Sequence, residues 1–222
     1  MLNWALRYEP IVAFLREVRS EPVLEVGSGS AGLVSYRACP VVSVDLELPA
    51  PRHPRLRPVR ASALGLPFAD GAFPTVVSSD MLEHIPAPER EAAIREMVRV
   101  AGRYLVVGFP SGSRARAHDV ALARTLRRLR VPEPSWLTEH LTIEPPAAGE
   151  VAAMAGSSVV LAQRRKNSNA VVHRAVLTGE LLPGAWRLTS RVHGMRLARR
   201  LAPVLNRGTP YREILVFEKH QR

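Results

Sequence analysis

Hydrophobic and polar positions change their period several times along the chain, a pattern typical of short strands separated by helices. Apolar residues recur at helical spacing between Trp4 and Val18 and within Ala87–Ala101. A strongly basic helix is predicted over Ala115–Arg130, where prolines follow. Shorter apolar runs predict seven strands, at Val23–Val26, Val41–Asp45, Arg57–Ala61, Thr75–Ser79, Tyr104–Phe109, Ser158–Ala162 and Tyr211–Glu218.

Strands that alternate with helices in this rhythm predict an α/β fold, in which a parallel sheet is covered on both faces. Right-handed crossovers then place the carboxyl ends of the strands at one rim, where ligands bind. We expect a single domain over 1–222, with a core over 1–110, helical insertions around a sixth strand over 111–206, and the last strand within 207–222. Further helices are predicted over Gly32–Ala38, near Glu150–Ala155, and over 164–206 with a break at Pro183–Gly184.

Composition narrows the class of protein. Hydrophobic residues make up 46% of the 222 residues, yet no apolar run approaches the roughly 20 residues of a membrane helix. The first ten residues, MLNWALRYEP, lack the pattern of a signal peptide. Cys39 is the only cysteine, so no internal disulfide can form, and we expect a cytoplasmic protein.

The net charge of +11 is concentrated in one half of the chain. Residues 1–102 hold 11 Lys/Arg and 12 Asp/Glu, a charge of −1, whereas residues 103–222 hold 20 and 8, a charge of +12. Such a half either binds an anionic partner or presents a solvated basic surface, and the sequence leaves both interpretations open.

The stretch VLEVGSGSAGL, from Val23 to Leu33, raises the question of its ligand. Gly27, Gly29 and Gly32 fit the G-x-G-x-x-G spacing of a dinucleotide site, and Asp45 follows eighteen residues after Gly27. The charge of Glu25, however, opposes a pyrophosphate and favours a cationic ligand. S-adenosylmethionine carries a sulfonium and an amino group, no phosphate, and a ribose whose hydroxyls Asp45 could bind.

Four further segments, LPFADGAF, TVVSSDMLEHIP, RYLVVGFP and YREILVFEKH, follow in order. Together with the glycine stretch they resemble the class I S-adenosylmethionine-dependent methyltransferases, in particular the small-molecule, type 11-like branch with the strand-four ending LEHI. The resemblance covers residues 20–110 and, less closely, the last strand. It implies a Rossmann-like, doubly wound, seven-stranded sheet, mostly parallel with an antiparallel last strand, plus helical insertions.

The resemblance also implies a cofactor site. The glycine-rich loop would hold the methionine part of S-adenosylmethionine, Asp45 the ribose, Leu46 and Ala63 the adenine, and Ser79 would face the methyl group. Ser62 stands where the family often has an aspartate that contacts the adenine amino group, and a serine can accept that hydrogen bond without a charge. The predicted cofactor-binding residues are Glu25, Gly27, Ser28, Gly29, Asp45, Leu46, Ser62, Ala63 and Ser79.

Two other departures from the family pattern concern Ala31, at the place of a third glycine, and Phe73-Pro74, at the place of Phe-Asp before the fourth strand. Ser62 and Pro74 keep open the alternative of an inactive, methyltransferase-like binding module.

Methyl transfer from a sulfonium requires alignment of the acceptor more than covalent help. A hydroxyl acceptor needs a base, for which His84 is the first candidate and Asp80 the second. Glu83 and His84 have a structural alternative, as caps of the cavity floor, and His140 either reaches the substrate pocket or packs its helix. The histidines show no metal-ligand spacing, so the sequence predicts no metal site.

We therefore expect a methyltransferase that uses S-adenosylmethionine to methylate a small or lipid- or glycan-linked acceptor, with 111–206 selecting the substrate. A nucleic acid, bound by the basic half, is the alternative acceptor, although no RNA-binding module is recognisable. An NAD-dependent oxidoreductase is disfavoured by Glu25. The arginine-bordered segment Leu181–Leu205 either packs on its own domain with its arginines in water or forms a lid that contacts an acidic, phosphate-bearing or lipid-linked substrate, and the same residues leave peripheral membrane contact as a further alternative.

Overall fold

The computed structural model describes residues 2–29, 32–37, 40–48, 53–182 and 195–220. Within them the helices are α1 (Leu2–Glu17), α2 (Arg90–Val100), α3 (Gly112–Arg128), α4 (Ser135–Thr142), α5 (Ala148–Met154), α6 (Ala170–Leu181) and α7 (Met195–Leu205). The strands are β1 (Val23–Val26), β2 (Val41–Asp45), β3 (Leu56–Arg60), β4 (Phe73–Ser79), β5 (Ala101–Pro110), β6 (Val159–Asn169) and β7 (Pro210–Lys219). Short 3-10 helices cover Gly32–Ser35, Leu82–His84 and Ala87–Glu89.

All seven strands form one sheet in the order β3-β2-β1-β4-β5-β7-β6. Strands β1 to β5 pair in parallel, and β7 runs antiparallel to both of its neighbours, β5 and β6. The predicted Rossmann-like sheet, mostly parallel with an antiparallel last strand, is therefore confirmed. The strand order reverses between β1 and β4, whose carboxyl ends create the crevice in which such sheets bind ligands.

Two apolar layers enclose the sheet. On one face, α2 and α5 contribute Ile94, Met97 and Val151 to a cluster with residues of β1, β4 and β5. On the other face, α1 contributes Ile11 and Phe14 to a second cluster. Because both faces are covered, the central strands are continuous apolar runs and not alternating ones.

Two predicted helices differ from the structure. The helix predicted over 164–206 is wrong for 164–169, which extend β6 and pair with β7 across the sheet. The polar run RRKNSN carries no strand pattern, and its pairing with β7, together with ion pairs between Arg164 and Glu213, decides its conformation. In place of the helix Gly32–Ala38, the described residues form one 3-10 turn, Gly32–Ser35. Ala31, Cys39 and the Pro183–Gly184 break lie outside the described residues.

In the part of the chain that the structure describes, every helix is too short or too polar to cross a bilayer.

Candidate functional site

A cavity of about 350 Å³ lies over the glycine-rich turn that follows β1. Its lining combines residues from the ends of β1, β2 and β4 with the loop after β3. Five of the predicted cofactor-binding residues are in the wall: Gly27, Asp45, Leu46, Ser62 and Ala63.

The turn needs glycine at position 27 for two reasons. Its φ of +80° lies in the left-handed region that side chains disfavour. A Cβ added there would lie 2.5 Å from Met81 Cγ, and Met81 also lines the cavity. The Gly27 N–H donates to the Val44 carbonyl at 2.8 Å, and the Gly29 N–H donates to Asp45 Oδ2 at 2.8 Å. The loop and the acid at the end of β2 are thus held together at the cavity.

Glu25 lies beneath the loop and outside the cavity wall. It is completely buried, and its carboxylate accepts hydrogen bonds from the Tyr8 hydroxyl and the Leu33 N–H, both at 2.8 Å. Burial raises the pKa of Glu25 to about 7, despite these donors and the nearby charge of Arg7. Glu25 therefore fixes the loop from behind, and the premise that a fully charged carboxylate faces the ligand does not fit this placement.

Of the other predicted residues, Ser28, Gly29 and Ser79 lie outside the wall of the smaller cavity, whereas Ser62 lines it and already has a local partner. Ser28 is buried, with its hydroxyl 3.2 Å from the Gly29 carbonyl. Ser79 is buried, and its hydroxyl accepts from Arg7 Nε at 3.0 Å. Ser62 lines the cavity and accepts from the Leu64 N–H at 3.1 Å, which leaves a lone pair for a ligand.

Pro74 lies at the amino end of β4, far from the crevice. The pairing of β4 with β5 shifts register between Phe73 and Thr75, so the missing N–H of Pro74 falls at an irregularity of the ladder. Pro74 is therefore accommodated at the amino end of β4, and it lines neither this cavity nor the larger one that adjoins it.

A second cavity, of about 510 Å³, adjoins the first. Helices α1, α4 and α6 and strand β7 line it, together with the turn that follows β4. Asp80 and His84 belong to the walls of both cavities. The larger cavity combines apolar walls with a few polar groups, the composition of a small-molecule site.

Sequence reasoning missed the contribution of α1 to this cavity. Asn3, Trp4 and Arg7 line it, and the Arg7 guanidinium lies 4.9 Å from the Trp4 ring. Their spacing of three and four residues along a helix was the available signal, but such spacing is equally typical of a core-facing surface. Arg212, from β7, was also missed, because nothing in the strand pattern distinguishes it from its neighbours.

Asp80 is held in a cationic environment. Its backbone has a positive φ of +51°, a strained conformation that occurs more often at functional sites. Arg212 donates to both of its carboxylate oxygens, and Arg7 Nε lies 3.4 Å away. Burial alone would raise the pKa of Asp80, but the charges of Arg212 and Arg7 outweigh burial and lower it. A carboxylate so stabilised is a weak proton acceptor, which argues against Asp80 as a general base.

His84 occupies the 3-10 turn after β4 and is half-exposed. Its Nδ1 lies 2.6 Å from Glu139 Oε2 of α4, and its ring centre lies 5.1 Å from that of His140. Both residues of the predicted catalytic pair line both cavities, and His84 has a second ring nitrogen, Nε2, that can accept a proton from an acceptor molecule.

His140 reaches the larger cavity, the first of the two alternatives that the sequence left open. Its Nδ1 lies 3.1 Å from Asp119 Oδ2, and the Tyr211 hydroxyl donates to the other oxygen of Asp119 at 2.8 Å. Burial acts to lower the pKa of His140, but the hydrogen bond to Asp119 and the charge of Glu83 raise it overall.

With this geometry in hand, comparison with known proteins identifies the fold. Residues 24–103 match the family model described as a methyltransferase domain. An 89-residue segment is 39% identical to an uncharacterized methyltransferase of Mycobacterium sp. (strain JLS). Residues 24–103 are thus similar to a methyltransferase domain. The matched segment covers 35% of this chain and 33% of the mycobacterial protein, so it spans about a third of that relative.

Solved structures support the fold over nearly the whole chain. A magnesium protoporphyrin IX methyltransferase from Synechocystis PCC 6803, with bound SAH, superposes with a TM-score of 0.56 at 15% identity, over 98% of this chain and 84% of that chain. A cyclase superposes with a TM-score of 0.54 at 15% identity, over 95% of this chain and 81% of the other. Because the fold also occurs in a cyclase, it does not by itself determine the reaction. The LEHI branch stays a prediction.

Proposed function

We propose that this chain transfers a methyl group from S-adenosylmethionine, bound in the smaller cavity, to a small acceptor bound in the larger one. The observation that carries the proposal is the meeting of the two cavities at Asp80 and His84. A cofactor over the glycine loop and an acceptor behind Trp136 would then approach each other at a shared wall. Alignment of this kind supplies most of the advantage in an in-line displacement.

The residues of the smaller cavity suit S-adenosylmethionine. Asp45 offers a carboxylate at the end of β2, where ribose hydroxyls are bound in this fold, and Leu46 and Ala63 provide apolar contacts for adenine. In the transfer, a lone pair of the acceptor forms a bond to the methyl carbon, the carbon–sulfur bond breaks, and its electron pair stays on sulfur as the neutral thioether. A hydroxyl acceptor also loses its proton, and His84 is our candidate for the residue that promotes this loss.

A small or lipid- or glycan-linked acceptor is favoured over a nucleic acid. The larger cavity, at about 510 Å³, has a volume suited to a small molecule or the end of a larger one, and Trp4, Trp136 and Leu177 give it apolar walls. A nucleic-acid acceptor predicts binding that weakens steeply with salt. Titration of an oligonucleotide at two salt concentrations separates the acceptors, and strong, salt-dependent binding would favour the alternative.

Calorimetry with S-adenosylmethionine tests the cofactor assignment. We expect wild-type protein to bind it and Asp45→Ala to bind at least tenfold more weakly, because a hydrogen bond to a charged group contributes about 1.5–3 kcal/mol. Glu47→Gln, which removes an exposed carboxylate two residues away, is the matched control. Absence of binding by the wild type, undiminished binding by Asp45→Ala, or preferential binding of NADH would overturn the proposal.

A further inference from the structure

Three side chains with metal-binding atoms meet at the wall of the larger cavity. Glu83 and His84 lie in the turn after β4, and His140 comes from α4, fifty-six residues further along the chain. One candidate ligand atom of each residue lies within 4.8 Å of those of the other two. The sequence predicted no metal site because the third member is supplied by the packing of α4 against the turn, which no local spacing reveals.

Glu83 provides an independent reason to expect a cation. Its side chain is 1% exposed, and neither carboxylate oxygen accepts a hydrogen bond from another residue in the described part of the chain. Buried carboxylates in proteins normally pair with a basic group, accept hydrogen bonds or bind a metal ion. His140 Nε2, at 3.9 Å from Glu83 Oε1, is the nearest basic group and is too far for a hydrogen bond.

Both histidines are oriented by a second carboxylate. Nδ1 of His140 contacts Asp119, and Nδ1 of His84 contacts Glu139, at 3.1 and 2.6 Å. Each contact leaves Nε2 as the nitrogen that can coordinate. Histidines that bind metals in proteins almost always have such a partner on the other ring nitrogen, which fixes the tautomer and raises the basicity of the ligand.

The charges around the cluster also permit a cation. Arg7 and Arg212 line the same cavity, but both form ion pairs with Asp80. The carboxyl groups of Glu83 and Asp119 lie beside His140, and that of Glu139 lies beside His84. As carboxylates they would offset the +2 charge of a bound ion.

We propose that Glu83, His84 and His140 form a binding site for a divalent first-row metal ion of the Zn²⁺ class. Two imidazole nitrogens and one carboxylate suit such an ion, whereas Mg²⁺ and Ca²⁺ prefer oxygen ligands. Ligand atoms about 2.0–2.2 Å from the ion are about 3.5 Å apart in a tetrahedral site, so the side chains must close by about an ångström. Three protein ligands leave a coordination position for another molecule in the cavity.

A bound ion would deepen the proposed function, on which this use of it rests. Glu83, His84 and His140 would hold the ion, which would help a hydroxyl acceptor in the open position to give up its proton to solvent water, because a cation stabilises the alkoxide. The acceptor oxygen would then form its bond to the methyl carbon as the carbon–sulfur bond breaks, and the electron pair of that bond would stay on sulfur. In this arrangement His84 promotes the loss of the proton as a ligand of the ion and not as the proton acceptor.

Titration with zinc alone tests the site without any need for a cofactor or an acceptor. Tag-free, chelator-stripped full-length protein is titrated with ZnCl₂ in a calorimeter, and Co²⁺ is added separately to record its visible ligand-field absorption. We expect one ion per chain for the wild type and at least a tenfold loss of affinity for Glu83→Gln and for His84→Asn. Glu139→Gln should lose affinity about 10–100-fold through the orientation of His84. His118→Asn, on α3 and outside the cluster, is the matched control.

Urea unfolding of each variant verifies that it is folded. If the buried Glu83→Gln substitution prevents folding, His84→Asn, which alters a half-exposed side chain, still tests the site. Lack of zinc binding by the wild type, or unchanged binding by both Glu83→Gln and His84→Asn, overturns the proposal. Titration of the wild type with S-adenosylmethionine separates the two hypotheses. A wild type that binds S-adenosylmethionine but not zinc defeats only the metal site, and a wild type that binds zinc but not S-adenosylmethionine defeats only the proposed function.

Discussion

Replacement of Glu25 by glutamine tests how the glycine-rich loop is supported. The carboxyl of Glu25 is buried between Tyr8 and the Leu33 N–H, and burial raises its pKa from 4.5 to about 7. The folded chain therefore holds this proton over a pH range in which the unfolded chain releases it. A raised folded-state pKa means that stability is greatest below pH 4.5 and declines as the pH rises through 7.

The size of the effect follows from the two pKa values. A tenfold difference in proton affinity corresponds to about 1.4 kcal/mol, so the full loss is about 3 kcal/mol, and most of it falls between pH 5 and pH 8. Glu25→Gln cannot ionise and does not incur this loss. At pH 5 we expect it to be less stable than the wild type, because its amide N–H₂ meets a site built for an acceptor.

Urea unfolding at pH 5 and pH 8, without cofactor, measures the difference in unfolding free energy between wild type and variant at each pH. The contributions of other titrating groups cancel in that difference, which should shift in favour of the variant by about 2–3 kcal/mol between pH 5 and pH 8. Glu47→Gln, at an exposed position, should stay within about 0.5 kcal/mol of the wild type at both values. A difference for Glu25→Gln that does not change with pH would show that the buried carboxyl is ionised at both, and the reasoning from desolvation would fail.

Substitutions at Gly27 and at Arg212 test the glycine-rich turn and the buried ion pair with Asp80. Gly27→Ala places a Cβ 2.5 Å from Met81 Cγ at a φ of +80°, and should weaken binding of S-adenosylmethionine at least tenfold by calorimetry. Gly29→Ala, where nothing lies within 4 Å of the added Cβ, should cost less, and equal losses would contradict the proposed clash. Arg212→Met removes the bidentate partner of buried Asp80 and should lower the free energy of unfolding by about 3–5 kcal/mol. Urea unfolding measures this loss, and the double variant with Asp80→Leu should recover most of it; a fully stable single variant would refute the account.

The sequence by itself determined the architecture of residues 1–110. The apolar runs of β1, β2 and β4 end at or beside a glycine or an acid, and the burial of the central strands makes their runs visible without a partner, whereas the edge strand β3 is only partly buried. Gly27, Asp45, Leu46, Ser62 and Ala63 follow such strands, so the parallel order that brought the strand ends to one rim also brought these residues to one cavity.

Tertiary structure alone decided what the polar side chains do. Glu25 is in the predicted strand, but only the packing of α1 places Tyr8 against it and removes it from water. The strand 164–169 depends on β7, a partner more than forty residues away. The second cavity unites α1, α4, α6 and β7, and the meeting of His140 with Glu83 arises from contacts between elements whose sequence separation carries no signal. Local periodicity indicates how each element is buried. The pKa values of buried side chains, the ion pairs and the arrangement of candidate metal-binding side chains depend on neighbours that only the folded chain brings together.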